Sequence, residues 1–164
     1  MYNIISEFHD KRYDMIITFL GHREIYNRSN ICENIRNAIL NNITRNEKIY
    51  FYCGGYGDFD NMCLEVCHSL KENIIDCEIV YITPYITESH QKQIKQLLDL
   101  KVYDSIIYPS LEKVFPRYAI SYRNKWMIDQ ADLVIAYVEH EYGGAYTSLQ
   151  YAIKHKKSII NLAK

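Results

Sequence analysis

Two glycine-rich segments carry most of the chemistry this chain could do: Gly54-Gly55-Tyr56-Gly57-Asp58-Phe59-Asp60 and Gly143-Gly144-Ala145-Tyr146-Thr147-Ser148. Each follows an apolar run and opens a helical pattern, the context in which glycines let backbone amides approach an anion. The first matches neither GxGxxG nor GxxxxGK[ST], so it reads either as an anion cradle or as a tight turn needing positive φ. The second places the hydroxyls of Thr147 and Ser148 in a first helical turn, where they could hold a phosphate or ribose or simply cap the helix. Gly21 and His22 end a further apolar run. Arg123, beside Asn124, offers the planar fork that grips two oxygens at once. Asp58, Asp60, Glu139 and Glu141 are the carboxylates available for acid or base work. Cys63 and Cys67, at i and i+4 with His68 beside them, could make half of a metal site, but they also read as part of the buried stripe that the helix needs. No second ligand pair stands at metal spacing, so no metal and no cofactor is expected.

These residues need elements to hold them. Residues 15–20 (MIITFL), 48–53, 78–83, 105–108, 133–138 and 158–162 read as short buried strands. Helical spacing covers 29–46, with Ser29 or Asn30 as cap, then 60–71, 88–100, 119–130 and 145–155. Strands alternating with helices this regularly pack parallel through right-handed crossovers. The expected fold is therefore α/β, a Rossmann-like three-layer open sheet, mostly parallel, with helices on both faces and one domain over residues 1–164. Ligands on such sheets bind beyond the carboxyl ends of the strands. That rule selects the loops 21–27, 54–60, 84–88, 109–117 and 139–147.

Composition narrows the partners. The net charge of -1 gives no strong field toward a nucleic acid backbone, so nucleic acid is not an expected partner. No apolar run reaches the roughly 20 residues of a membrane span, and residues 1–10 lack the build of a secretory signal. Five cysteines without a framework fit reduced thiols, and the expectation is a cytoplasmic protein.

Taken together, GGYGDFD and the later YRNKWMIDQADLVIAYVEHEYGGAYTSLQYA resemble the SLOG superfamily of Rossmann-like proteins. That superfamily includes the LOG enzymes and the DprA-like proteins. The resemblance spans residues 15–163 and is similar in style to small SLOG proteins of bacteria and phages. LOG enzymes release a base from a nucleoside monophosphate with an Arg-Lys pair and a PGGxGTxxE motif. Arg123 stands at the arginine and Asn124 at the lysine. Gly143, Gly144 and Thr147 match the second motif, with Tyr142 for the proline and Tyr146 for the third glycine. Gln150 stands at the catalytic glutamate.

The resemblance implies a cleft with Gln150 in or beside it near Arg123, and a homodimer formed through helices beside the site. A neutral amide cannot replace a carboxylate in stabilising an oxocarbenium-like centre. The expected function is therefore binding of a nucleotide or nucleotide-derived small molecule without LOG-type turnover. The ligand-binding candidates are Gly21, His22, Gly54, Gly55, Tyr56, Gly57, Asp58, Arg123, Asn124, Gly143, Gly144, Ala145, Tyr146, Thr147 and Gln150. Loss of Arg123 is expected to weaken ligand binding and leave the fold intact. One alternative is an N-glycosidase or phosphoribosyl or deoxyribosyl transferase using a displaced carboxylate, from Asp58, Asp60, Glu139 or Glu141. Another is a protein-interaction scaffold.

Overall fold

A computed structural model describes residues 14–44, 47–73 and 75–164. Residues 1–10, read above for a secretory signal, and Asn46, the expected end of the first helix, lie outside the described residues. The strands are β1 (Asp14–Gly21), β2 (Lys48–Cys53), β3 (Cys77–Ile82), β4 (Ser105–Ile107), β5 (Leu133–Tyr137) and β6 (Ser158–Asn161). Between them lie α1 (Ile31–Leu40), α2 (Asp58–Asn73), α3 (Glu88–Asp99), α4 (Ala119–Gln130) and α5 (Gly143–Lys154). A 3₁₀ turn, Pro116–Tyr118, leads into α4.

The sheet runs β4-β3-β2-β1-β5-β6, and every pair in it is parallel. The central strands read as continuous apolar runs because both faces are covered. Ile17 and Phe19 of β1 join Ile49 and Phe51 of β2 in the core beneath α1 and α2. Their neighbours Ile16, Leu20, Tyr50 and Tyr52 pack on the other face with Met127 of α4 and Leu149 of α5. Period-two alternation thus divides one strand between two cores. At the amino edge, Asp132 fixes the entry to β5: its Oδ2 accepts the Ile16 amide at 2.8 Å, and its own amide donates to the Ile16 carbonyl at 2.8 Å. Asp104 does the same for Ile79 ahead of β4.

From β1 the chain steps outward to β4, then returns to the far side of β1 with β5. The strand order therefore switches between β1 and β5, the place where open α/β sheets leave a crevice at their carboxyl edge. Gly21 ends β1 there because α2 passes so close: a β-carbon on it would lie 2.4 Å from Phe59 Cδ1.

Three helices depart by two residues or more from the bounds read in the sequence; α2 runs Asp58–Asn73, two residues beyond 60–71 at each end. Helix α1 stops at Leu40 because Asn42 Nδ2 donates to the Ala38 carbonyl at 2.8 Å and its amide turns back to Ile39, ending the regular ladder. Its entry residue Asn30 is left-handed (φ 63°) and makes no side-chain cap. Helix α5 begins two residues early, at Gly143, whose φ of 85° lets the chain pass directly from extended Tyr142 into the helix.

Candidate functional site

A cleft of about 210 Å³ opens at the switch point. Its walls are the end of β1 (Phe19, Leu20, Gly21, His22, Arg23), the β2–α2 turn (Gly54, Tyr56, Asp60), α4 (Ile120, Arg123, Asn124, Met127, Ile128) and the start of α5 (Gly144, Ala145, Ser148). Both glycine segments therefore meet at one cavity, as the loop rule anticipates.

Their amides are used differently. At the first segment the protein consumes its own donors: Tyr56 N–H donates to Asp60 Oδ2 at 2.9 Å, and Asp58 N–H to the Arg23 carbonyl at 2.8 Å. Gly55 and Gly57 have φ of 65° and 98°, and a β-carbon on Gly57 would lie 2.8 Å from Arg23 Cα. Turn geometry and packing explain these glycines, so the segment is a tight turn rather than an anion cradle. At the second segment nothing comparable happens. No side chain caps α5, and the Gly144 and Ala145 amides donate to no acceptor among the described residues. A β-carbon on Gly144 would meet nothing within 4 Å, and no positive φ demands a glycine there. The fold gives no reason for this glycine, which stands at an uncapped helix N-terminus in the cleft wall.

Arg123 is 2% exposed. Its Nη1 donates to the carbonyls of Gly54 at 2.9 Å and Ile82 at 2.7 Å, and its Nε to Asn124 Oδ1 at 2.9 Å. The guanidinium ties the ends of β2 and β3 to α4, so the expectation that its loss leaves the fold intact is corrected: removal would strand two buried carbonyls. Nη2 makes no hydrogen bond among the described residues, where every fully buried side-chain polar atom is satisfied, and it is the part that can face the cleft.

Of the four carboxylates, Asp60 alone lines the cleft. Burial pushes its carboxyl group up to about 6, against the opposing pull of the Tyr56 amide and the Arg123 charge. Asp58 points elsewhere: Oδ2 accepts the Ile25 amide at 3.0 Å and pairs with Arg28 at 2.8 Å, which together hold its carboxyl below the usual range. It staples the β1–α1 loop over the N-terminus of α2. Glu139 accepts the Tyr137 hydroxyl at 2.9 Å, and Glu141 is exposed; neither lines the cleft.

His22 Nε2 accepts the amides of Glu139 at 2.9 Å and His140 at 3.3 Å. That places the ring proton on Nδ1. Burial, then the neighbouring His140, lowers its pKa. The His22 ring stacks on His140 at 4.0 Å, and His140 on exposed Tyr142 at 5.0 Å, so a ladder of rings runs outward from the rim. Gln150 and Thr147 are exposed and outside the lining, Thr147 Oγ1 donating to the Gly143 carbonyl at 3.0 Å; half-buried Tyr146 is also outside it. Ser148, offered with Thr147 as a phosphate or ribose contact, lines the cleft, and Arg23, not named among the candidates, lines it too. Arg23 could have been found from its place in the loop after the first strand, one of the loops that the carboxyl-edge rule selects. Among the described residues no three His, Cys, Asp or Glu gather as a metal site, and no helix is long and apolar enough to cross a membrane.

No family model and no curated protein matches the sequence. Solved structures do match. DNA processing protein A from Helicobacter pylori, in a structure reporting its single-stranded DNA binding mode, superposes with a TM-score of 0.59 at 16% identity, over 90% of this chain and 64% of that one. DNA processing protein A (DprA) from Streptococcus pneumoniae gives 0.57 at 8% identity, over 90% and 49%. The chain shares a Rossmann-like fold with these DprA proteins. It spans less than two thirds of either DprA chain. The molybdenum cofactor carrier protein of Chlamydomonas reinhardtii shares the fold too, at 0.53 and 14% identity, over 92% and 77%. The expectation set against nucleic acid is corrected here. The Helicobacter pylori protein, which shares this fold, binds single-stranded DNA, so a balanced net charge does not exclude that partner class.

Proposed function

We propose that the cleft binds a nucleotide unit, its phosphate on the amides that open α5, without turnover of the LOG type. One observation carries the reading: Gly144, a glycine that neither φ nor packing requires, clears uncapped helix amides at the wall of a carboxyl-edge cleft. Such amides, aligned with the helix dipole, favour an anion. The exposure of Gln150 leaves no carboxylate or amide at the motif position within the cleft, in keeping with binding rather than glycosidic cleavage.

The test is Gly144→Asp. An acidic residue in the first helical turn is favourable to the helix, by about 0.3–1 kcal/mol, yet it sets a fixed carboxylate against the incoming phosphate. Nucleoside phosphates should raise the melting temperature of the wild type and leave that of the variant unmoved. Equal shifts in both proteins would refute the site.

A second reading takes the same unit from within a single nucleic acid strand. The DprA likeness and the His22, His140, Tyr142 ring ladder favour it, since successive rings at a rim are what unpaired bases stack on. Fluorescence anisotropy with labelled oligothymidylate and oligouridylate separates the two: free nucleotides alone binding supports the first, tight oligomer binding the second.

A further inference from the structure

We propose that Asp60 makes the cleft a reader of sugar hydroxyls, its unengaged carboxylate oxygen accepting the vicinal hydroxyls of a ribose whose phosphate lies at the start of α5. The proposal rests on the nucleotide reading above and adds the identity of the sugar.

Asp60 shares its cavity with Gly144 and Ala145, so one small ligand can touch both walls. The Tyr56 amide holds Oδ2 and thereby fixes the carboxyl group, while Oδ1 meets no donor among the described residues. Gly54 separates it from the arginine: a β-carbon there would lie 3.1 Å from Asp60 Oδ2 and 3.2 Å from Arg123 Nη2. The two groups feel each other's charge, but among the described residues they form no direct ion pair. The turn therefore presents an oriented acceptor that the protein leaves half used.

A carboxylate repels phosphates and carbonyls, so its partner must bring O–H or N–H donors. Sugar hydroxyls and base amino groups both qualify, and size decides between them. Sites that enclose small molecules usually hold about 300–1,000 Å³. A cleft of about 210 Å³ encloses a sugar and its phosphate and leaves the base outside. The His22 and His140 rings stand at that rim. The donors reaching Asp60 are then hydroxyls, bound through the short, strong hydrogen bonds that a charged acceptor makes.

Calorimetric titrations of the whole chain with D-ribose 5-phosphate, 2-deoxy-D-ribose 5-phosphate and inorganic phosphate test this, because none of these probes carries a base. The wild type should bind the ribose compound about 10- to 100-fold more tightly than the deoxyribose compound, the discrimination expected when a buried acceptor loses its donor. In Asp60→Asn that ratio should fall to within about threefold of unity, with inorganic phosphate bound at least as tightly as by the wild type. The wild-type pair of titrations decides the sugar preference whatever the stability of the variant. Equal binding of the two sugars by wild type, or a preference that survives Asp60→Asn, would overturn the assignment and leave the phosphate site standing. Failure of all three probes to bind would overturn the nucleotide reading and this inference with it.

Discussion

Replacing Asp60 with asparagine should stabilise the protein at neutral pH. Burial raises the Asp60 carboxyl from its ordinary 3.8 to about 6, even with Tyr56 N–H and Arg123 pulling the other way. At 1.36 kcal/mol per unit, a gap of about two units means that the ionised group costs the fold about 3 kcal/mol. Between pH 4 and 6 the folded chain keeps a proton that the unfolded chain has released, so stability falls as pH rises through this window and levels off above it. Asparagine keeps the volume and the acceptor for Tyr56 but never ionises. Taking the difference between two pH values cancels whatever constant offset the amide introduces. By the same linkage, about 2 kcal/mol of advantage should develop for Asp60→Asn between pH 4.5 and 7.5. Urea unfolding of both proteins, followed through the emission of Trp126, the single tryptophan, which stacks on Tyr52, would measure it. A difference that stays constant within about 0.5 kcal/mol, or that grows in favour of the wild type, would mean that Asp60 is solvated or paired. The idea that the cleft keeps a costly charge for a ligand would then fail.

Arg123→Met should cost about 2–4 kcal/mol in the same denaturation assay, because the Gly54 and Ile82 carbonyls lose their donor inside the protein. It should also raise the Asp60 pKa further, by removing the positive charge that lowers it, and NMR titration of the carboxyl carbon would register the change. His22 should titrate below 6.5 with the proton on Nδ1, and acidification through that range should expose the Glu139 and His140 amides to faster hydrogen exchange; unchanged protection would show that the imidazole does not hold this loop. Gly21→Ala should lower stability by about 1–3 kcal/mol through its collision with Phe59, and an unchanged melting temperature would show that α2 can move away.

The architecture was legible because its signals are local: continuous apolar runs such as MIITFL and LVIAYV, each closed by a loop and followed by a helical period, admit little besides a sheet covered on both faces. The site was legible as loops and as the Arg123–Asn124 pair of α4, but not as an arrangement. Gly55 and Gly144 are the same letter in similar settings, yet one answers a positive φ and the other clears a helix end, and the distinction depends on the β1–α1 loop folding across α2. Arg123 reads in sequence as an anion partner, but not as a structural tie, because burial of its guanidinium is decided by the carbonyl ends of β2 and β3, distant in the chain. Helical rotation accounts for the remaining differences. Two residues turn a helix by about 200°, which is why Asp58 can staple a loop while Asp60 lines the cleft. The same rotation separates Ser148, in the cleft, from Gln150, which faces solvent. A motif matched by spacing carries its function over only if the helix begins where the motif assumes. Here α5 begins at Gly143 and presents Gly144, Ala145 and Ser148 to the cleft, so of the four candidate carboxylates the one that lines it stands on the opposite wall, at Asp60.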